Sequence, residues 1–228
     1  MSKTSFAHFY LLREPERNQC VAALKESSPY EMQKIRCPIK PGHSRARRSS
    51  HLDMVVPCDP PPDVIFTWMS ECLIQDRVRR IFESEGLKGF SALRAKAVVK
   101  KTGAAISVHE LAVTGWGGIA PTASGIREVE RCPGCGLLAY SALEAPEKLI
   151  DPGNWDGSDF FMIWPLPKFH FVTERVVEVC QLYKITGASF TRDWPASAAA
   201  NTGYSPGRLS YYMPYERARL LGGEHGIE

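Results

Sequence analysis

Apolar residues change their period several times along this chain, and each change predicts an element. Phe6, Phe9, Tyr10, Leu11 and Leu12 crowd residues 5–13 and predict an opening strand. From Thr67 to Glu85, Trp68, Met69, Leu73, Ile74, Val78, Ile81 and Phe82 recur at helical spacing. Thr67 offers an N-cap hydroxyl and Gly86 a stop, while Asp76, Arg77, Arg79, Arg80 and Glu83 fall on the solvent side. Trp68 is expected to anchor that helix in the core. Residues 95–101 and 105–114, joined by Thr102-Gly103-Ala104, predict a hairpin of imperfect alternation. A polar turn over 154–159 runs into an apolar strand beginning at Phe160. Val176, Val177, Cys180 and Tyr183 make the stripe of a second helix over 174–185, capped by Thr173 and ended by Gly187. A short third helix is expected near 215–221.

Two stretches carry no such period. Residues 37–62 are dominated by Pro, Ser, Arg and Gly and read as irregular. Residues 115–125 are glycine-rich, without a P-loop lysine or a GxGxxG spacing, and read as a flexible connection. There is no internal repeat. The expected class is α+β, with antiparallel sheet elements and a few helices.

Composition changes the picture in three ways. The 228 residues, 44% hydrophobic and 23% charged, suit a globular chain with a sizeable core. A formal charge of +3 is too small to mark a nucleic-acid binder by itself. The opening residues lack the apolar run of a secretory signal, and no stretch approaches a membrane span, so the cytoplasm is the expected compartment. Seven cysteines, an odd number, read as thiols and ligands rather than as a disulfide framework.

The chemistry concentrates in Arg131-Cys132-Pro133-Gly134-Cys135-Gly136. Two thiolates separated by two residues, with glycines freeing the backbone, form a knuckle that points both sulfurs at one tetrahedral ion. Structural zinc takes four Cys or His ligands, so this is half a site. Cys37-Pro38-Ile39-Lys40-Pro41-Gly42-His43 supplies the other half, and Cys37 with His43 completes a Cys3His set. Cys58 and His51 are substitutes. The same knuckle also resembles the second half of a deaminase motif, but His109-Glu110 lacks the residue that must separate His from Glu. No nucleophile elbow, HExxH or base-paired carboxylate is present, and no enzyme is expected.

In order, Cys37-Pro38, Gly86-Leu87-Lys88-Gly89-Phe90, Cys132-Pro133-Gly134-Cys135-Gly136, Asp159-Phe160-Phe161, Val172-Thr173-Glu174-Arg175 and Thr186-Gly187-Ala188-Ser189-Phe190 resemble the layout of the double-CXXCG immunity proteins, a paralogous group known from myxobacteria. The resemblance covers roughly residues 5–192 and departs at the first motif, where Pro41-Gly42-His43 stands in place of the second Cys and its Gly. It implies an immunity domain over 1–192, with a Pro-, Ser- and Tyr-rich extension over 193–228. It implies a cytoplasmic antidote that neutralises a cognate secreted toxin by stoichiometric binding, with no small-molecule substrate and no membrane. The runner-up is a zinc-ribbon nucleic-acid binder, suggested by Arg45, Arg47, Arg48, Lys100 and Lys101. For the toxin-facing surface the sequence offers the turn 154–159, with Trp155 as anchor and Asp156 and Asp159 as charges complementary to a basic cleft. Trp116, Trp164, Trp194 and Tyr211-Tyr212 are further aromatic candidates.

Overall fold

The computed structural model describes residues 9–17, 20–25, 32–43, 45–48, 51–68, 70–192 and 203–228. The first half contains β1 (Phe9–Arg13), β2 (Val21–Leu24), β3 (Met32–Ile35), β4 (Arg45–Arg48), β5 (Leu52–Val56), β6 (Val64–Thr67), β7 (Cys72–Gln75), α1 (Asp76–Ser84) and β8 (Phe90–Val99). Then come β9 (Ala105–Ile106), β10 (Val108–Val113), β11 (Gly115–Ile119), β12 (Glu128–Arg131) and β13 (Leu138–Tyr140). The rest is β14 (Phe160–Trp164), β15 (Leu166–Thr173), α2 (Glu174–Leu182), β16 (Ser189–Thr191) and α3 (Tyr215–Gly222). The class is α+β, mostly sheet, with three short α-helices among the described residues.

Six strands close a barrel in the order β10-β7-β6-β2-β5-β8, because β10 pairs back onto β8 from His109↔Arg94 to Val113↔Phe90. The sheet is mixed rather than antiparallel: β2 runs parallel to β6, and β5 parallel to β8. Ala22, Leu52, Met54, Val56, Ile65, Leu73, Ala97 and Val108 fill the interior. Cys20 and Cys58 are joined by a disulfide against that core, which corrects the expectation that the cysteines stay as thiols and ligands. It also removes Cys58 as a substitute ligand, and His51 is exposed.

A second sheet, β11-β14-β15-β1-β16, covers one outer side of the barrel. Val64, Phe66, Cys72 and Ile74 face this larger core, alternating with Ile65 and Leu73, which face the barrel interior. Both faces of β6 and β7 are therefore buried, and this corrects the helix expected from Thr67. A continuous apolar run buried on two sides mimics a buried helix in sequence. The helix starts only at Asp76, and a turn with Ser70 at φ +69° separates the two strands. Its expected end at Gly86 holds, with Gly86 at φ +65°. Trp68 sits in that turn, 79% exposed, instead of anchoring the core. We expect Trp68→Ala to change the unfolding free energy by less than about 0.5 kcal/mol, read by chemical denaturation, as for other exposed positions.

The hairpin at Thr102-Gly103-Ala104 is present, with β8 longer than expected and pairing with both β9 and β10. The region 37–62 is less irregular than its composition implies, since it holds β4 and β5. The glycine-rich connection is a strand: β11 runs parallel to β14 at the sheet edge. Its glycines permit close approach. A Cβ at Gly115 would lie 2.0 Å from the Phe160 carbonyl oxygen, and one at Gly117 2.5 Å from the Phe161 ring. The second helix begins after Thr173 as expected but ends at Leu182, short of 185, and the Thr173 hydroxyl donates to Asp159 instead of capping it, while α3 falls where the third was placed. The tail joins the core: Leu209, Met213, Ala218 and Ile227 are buried in it, and Tyr204 bridges to Tyr140. Of the sequence expectations, residues 5–8, Met69 and Trp194 lie outside the described residues.

His170 lies on β15 opposite Leu12 and is 8% exposed. Burial pushes its imidazole down to about 4 from an ordinary value of 6.5. The folded state thus favours the neutral ring, while the unfolded chain takes up a proton below pH 6.5. This contribution to stability is complete above pH 6.5 and declines as pH falls toward 4, by about 3 kcal/mol in all. Between pH 7 and pH 4.5 the denaturant midpoint of the parent should therefore fall by more than that of His170→Phe.

Candidate metal centre

Two small hairpins outside the main sheets meet at their loops. β3 and β4 pair from Met32↔Arg48 to Ile35↔Arg45, and β12 and β13 pair from Glu128↔Tyr140 to Arg131↔Leu138. The loop of the first carries Cys37 and, in a short helical turn, His43. The loop of the second begins at Cys132 and is closed by Cys132 N donating to Leu137 O at 2.9 Å and Gly136 N donating to Cys132 O at 2.9 Å. Gly136 stands at φ +64°, a conformation that favours glycine. Gly134 lies beneath Ile39, whose Cδ1 would be 2.6 Å from a Cβ at that position, so the two loops are in direct contact.

This contact brings Cys37, His43, Cys132 and Cys135 together. Their ligand atoms all lie within 4.8 Å of one another, and the Sγ atoms of Cys37 and Cys132 are 3.7 Å apart although 95 residues separate them. Zinc with Zn–S bonds of about 2.3 Å requires tetrahedral S···S edges of about 3.8 Å, which that spacing fits. Cys37 and Cys132 are buried, while His43 and Cys135 are half-buried. The group can hold a metal ion.

Local hydrogen bonds prepare the sulfurs for that role. Lys40 N donates to Cys37 Sγ at 3.2 Å, as amides do in a knuckle. At Cys132 the Cys135 amide, then the His43 side chain, and further the Gly134 amide bring the thiol down to about 6. Burial acts the other way at Cys37 and pushes it up. Without a cation, neighbouring thiols cannot all ionise together. A divalent ion removes that restriction and takes them as thiolates.

Glu130 completes the surroundings and was not singled out by the sequence. Its Oε1 is 2.5 Å from Lys40 Nζ and 3.5 Å from His43 Nε2. Lys40 holds the carboxylate below its usual range. With Nε2 turned to Glu130, His43 would ligate through Nδ1, the arrangement in which an outer carboxylate orients a ligating imidazole. The only signal in sequence was its place two residues before Cys132. No protein-family model and no curated protein matches this chain.

Of the residues expected to face a partner, Asp156 is exposed, Trp155 is half-buried and Asp159 is buried. Trp155 is half-buried against Phe9 and Phe161, and its Nε1 donates to Ser158 O at 2.9 Å. Asp156 Oδ2 accepts from Trp116 N at 3.0 Å and from Arg217 Nη2 at 2.7 Å, while Oδ1 accepts from Ser158 N at 3.0 Å. Asp159, 7% exposed, accepts from Lys88 N at 2.8 Å, Thr173 Oγ1 at 3.1 Å and Arg175 Nη1 at 3.3 Å. The turn expected to be exposed over 154–159 is therefore exposed at Asn154, Asp156 and Gly157, and Asp159 at its end is buried. Trp116 and Trp164 are likewise buried.

Proposed function

We propose that this protein neutralises a cognate secreted toxin by forming a stoichiometric complex with it in the cytoplasm, and that a structural zinc ion on Cys37, His43, Cys132 and Cys135 holds its binding scaffold. The observation that carries this reading is the meeting of the two hairpin loops. The resemblance to double-CXXCG immunity proteins implies two ligand pairs from distant parts of one domain, and here those segments adjoin with suitable ligand spacing. Three cysteines and a histidine select zinc over harder cations. The zinc supplies rigidity, since metal binding and folding are linked, and performs no reaction. A binder needs a fixed surface rather than an arranged catalytic set, and the reading assigns the chain no enzymatic turnover.

The partner-facing surface lies away from Asp159. Among the described tryptophans Trp68 is the exposed one, and exposed aromatics serve as anchors at interfaces. Among the described residues no helix is long and apolar enough to cross a membrane. Co-expression with the toxic product of the neighbouring gene should restore growth and yield a complex that co-purifies. A partner that stays active in a stable mixture would refute the reading. Trp68→Ala should weaken the complex about tenfold or more without loss of fold.

The second reading, a zinc-ribbon nucleic-acid binder, is favoured by one observation. The β3–β4 hairpin that carries two of the four candidate ligands also carries Lys34, Arg45, Arg47 and Arg48. Binding to DNA or RNA that falls steeply with salt would support it. Weak, salt-independent binding would dispose of it.

A further inference from the structure

Residues 203–228 grip the β12–β13 hairpin at both ends of its two-cysteine loop. Gly226 O is the meeting point, accepting from Arg131 Nη1 at 2.8 Å and from Arg208 Nη1 at 2.7 Å. Arg131 stands directly before Cys132. Its guanidinium is fixed by Glu128, which accepts from Nε at 2.8 Å and from Nη2 at 2.6 Å, and Nη2 also reaches His225 O at 3.1 Å. Arg208 covers Gly136, directly after Cys135, and a Cβ at Gly136 would lie 3.0 Å from Arg208 Cζ. Gly226 itself stands at φ +60°, with no room for a side chain beside Arg131, since a Cβ there would lie 2.9 Å from Nη1. One tail carbonyl thus holds the residue that enters the knuckle and, through Arg208, the residue that leaves it.

The tail has its own anchorage. Leu209 N donates to Ile227 O at 2.7 Å, and Leu209 and Ile227 are buried in one core with Leu138 and Tyr140 of β13. Tyr140 and Tyr204 exchange backbone bonds of 2.8 and 2.9 Å. A two-stranded hairpin alone is marginal in water, so β12–β13 depends on such support to keep Cys132 and Cys135 in one geometry. We infer that residues 203–228 brace the metal centre, with Arg208 and Arg131 as positioning residues that set the knuckle in ligating shape before the ion arrives and so raise its affinity for zinc. The inference rests on the zinc reading of Cys37, His43, Cys132 and Cys135, and gives the tail a role which that reading leaves open. Neither arginine is a ligand, and Arg208 acts through the backbone at Gly136. Groups that orient a ligand set from outside it change metal affinity by about 10–100-fold when removed. The coupling is reciprocal, so bound zinc tightens the tail in turn.

The test is competition for zinc between the full chain and a chromophoric chelator at pH 7, beside elemental analysis of the parent. Arg208→Ala, at a half-buried position, should bind zinc about tenfold more weakly than the parent. Arg208→Lys keeps a donor for Gly226 O but not the flat guanidinium over Gly136, and should fall between the two. Met213→Ala removes buried apolar surface from the same segment and none of these bonds, so it should melt earlier with its zinc affinity unchanged. Cobalt(II) in place of zinc should give visible bands that differ from the parent's in Arg208→Ala and match them in Met213→Ala, because the bands report ligand geometry. A parent that takes up no zinc overturns the metal reading and this inference together. A zinc-bound parent whose Arg208→Ala variant binds equally tightly overturns this inference alone, and so does an equal loss of affinity in Met213→Ala. Should Arg208→Ala not fold, an Arg208→Lys protein with the parent's affinity overturns it.

Discussion

Replacing Cys132 with Ser is expected to release the zinc proposed for this site and to lower stability by several kcal/mol. Cys132 sits at the junction of the two loops, 3.7 Å from Cys37 Sγ and bonded to the amides of Gly134 and Cys135. Zinc present at a thousandfold its dissociation constant stabilises the folded chain by about 4 kcal/mol. For a chain of this size, that corresponds to a fall of roughly 10 °C in the melting temperature. Cys135→Ser and removal of zinc by a chelator should act alike, and the chelator should add nothing to the Cys132→Ser protein. Calorimetry with and without chelator, beside elemental analysis, reads all three. An unchanged melting temperature in a metal-free parent protein would sink the zinc assignment.

The second large effect is expected at Asp159. Replacing it with Ala leaves Lys88 N, Thr173 Oγ1 and Arg175 without their acceptor, and these groups tie the segment before β8 to the start of α2. Removing a buried carboxylate with such partners costs about 3 kcal/mol. Asp156→Ala loses bonds to Trp116 N and Arg217 and should cost less, because it is more open to solvent. Denaturant unfolding of the two single variants gives the order directly. An Asp159→Ala protein that melts normally but binds its partner poorly would return this loop to the contact surface.

The strands with one clear period were legible in sequence. The polar turn into Phe160 held, as did the second helix after Thr173 and the hairpin at Gly103. What failed did so for identifiable reasons. Val64–Thr67 and Cys72–Gln75 bury both faces, and a two-sided strand shows no alternation to distinguish it from a buried helix. Gly115–Ile119 looked flexible because glycine signals freedom in sequence, whereas here it signals closeness to Phe160 and Phe161. Closure of a barrel through parallel pairs, and the pairing of Cys20 with Cys58, depend on contacts far apart in the chain that no local pattern encodes.

At the candidate metal centre the same logic ran the other way. Ligand chemistry is specific enough that residue type and local spacing selected Cys37, His43, Cys132 and Cys135 before any tertiary contact was known, and the four do cluster. The outer groups, Glu130 and Lys40, were not legible, because an ordinary carboxylate and an ordinary lysine carry no spacing signature. The burial of Asp159 at the end of the acidic turn was not legible for a related reason. Aspartates beside a glycine and a tryptophan read equally well as a binding loop or as turn chemistry, and the deciding partners, Lys88, Thr173, Arg175 and Arg217, are distant in sequence.

The central claim is that a zinc-held scaffold silences its partner by binding it. Native mass spectrometry of the species co-purified after co-expression with the neighbouring toxin tests this most directly. The account predicts one mass: one copy of this chain, one copy of the toxin domain and one zinc ion, in a fraction without toxin activity. Two separate masses, or a complex in which the toxin still turns over, would contradict it.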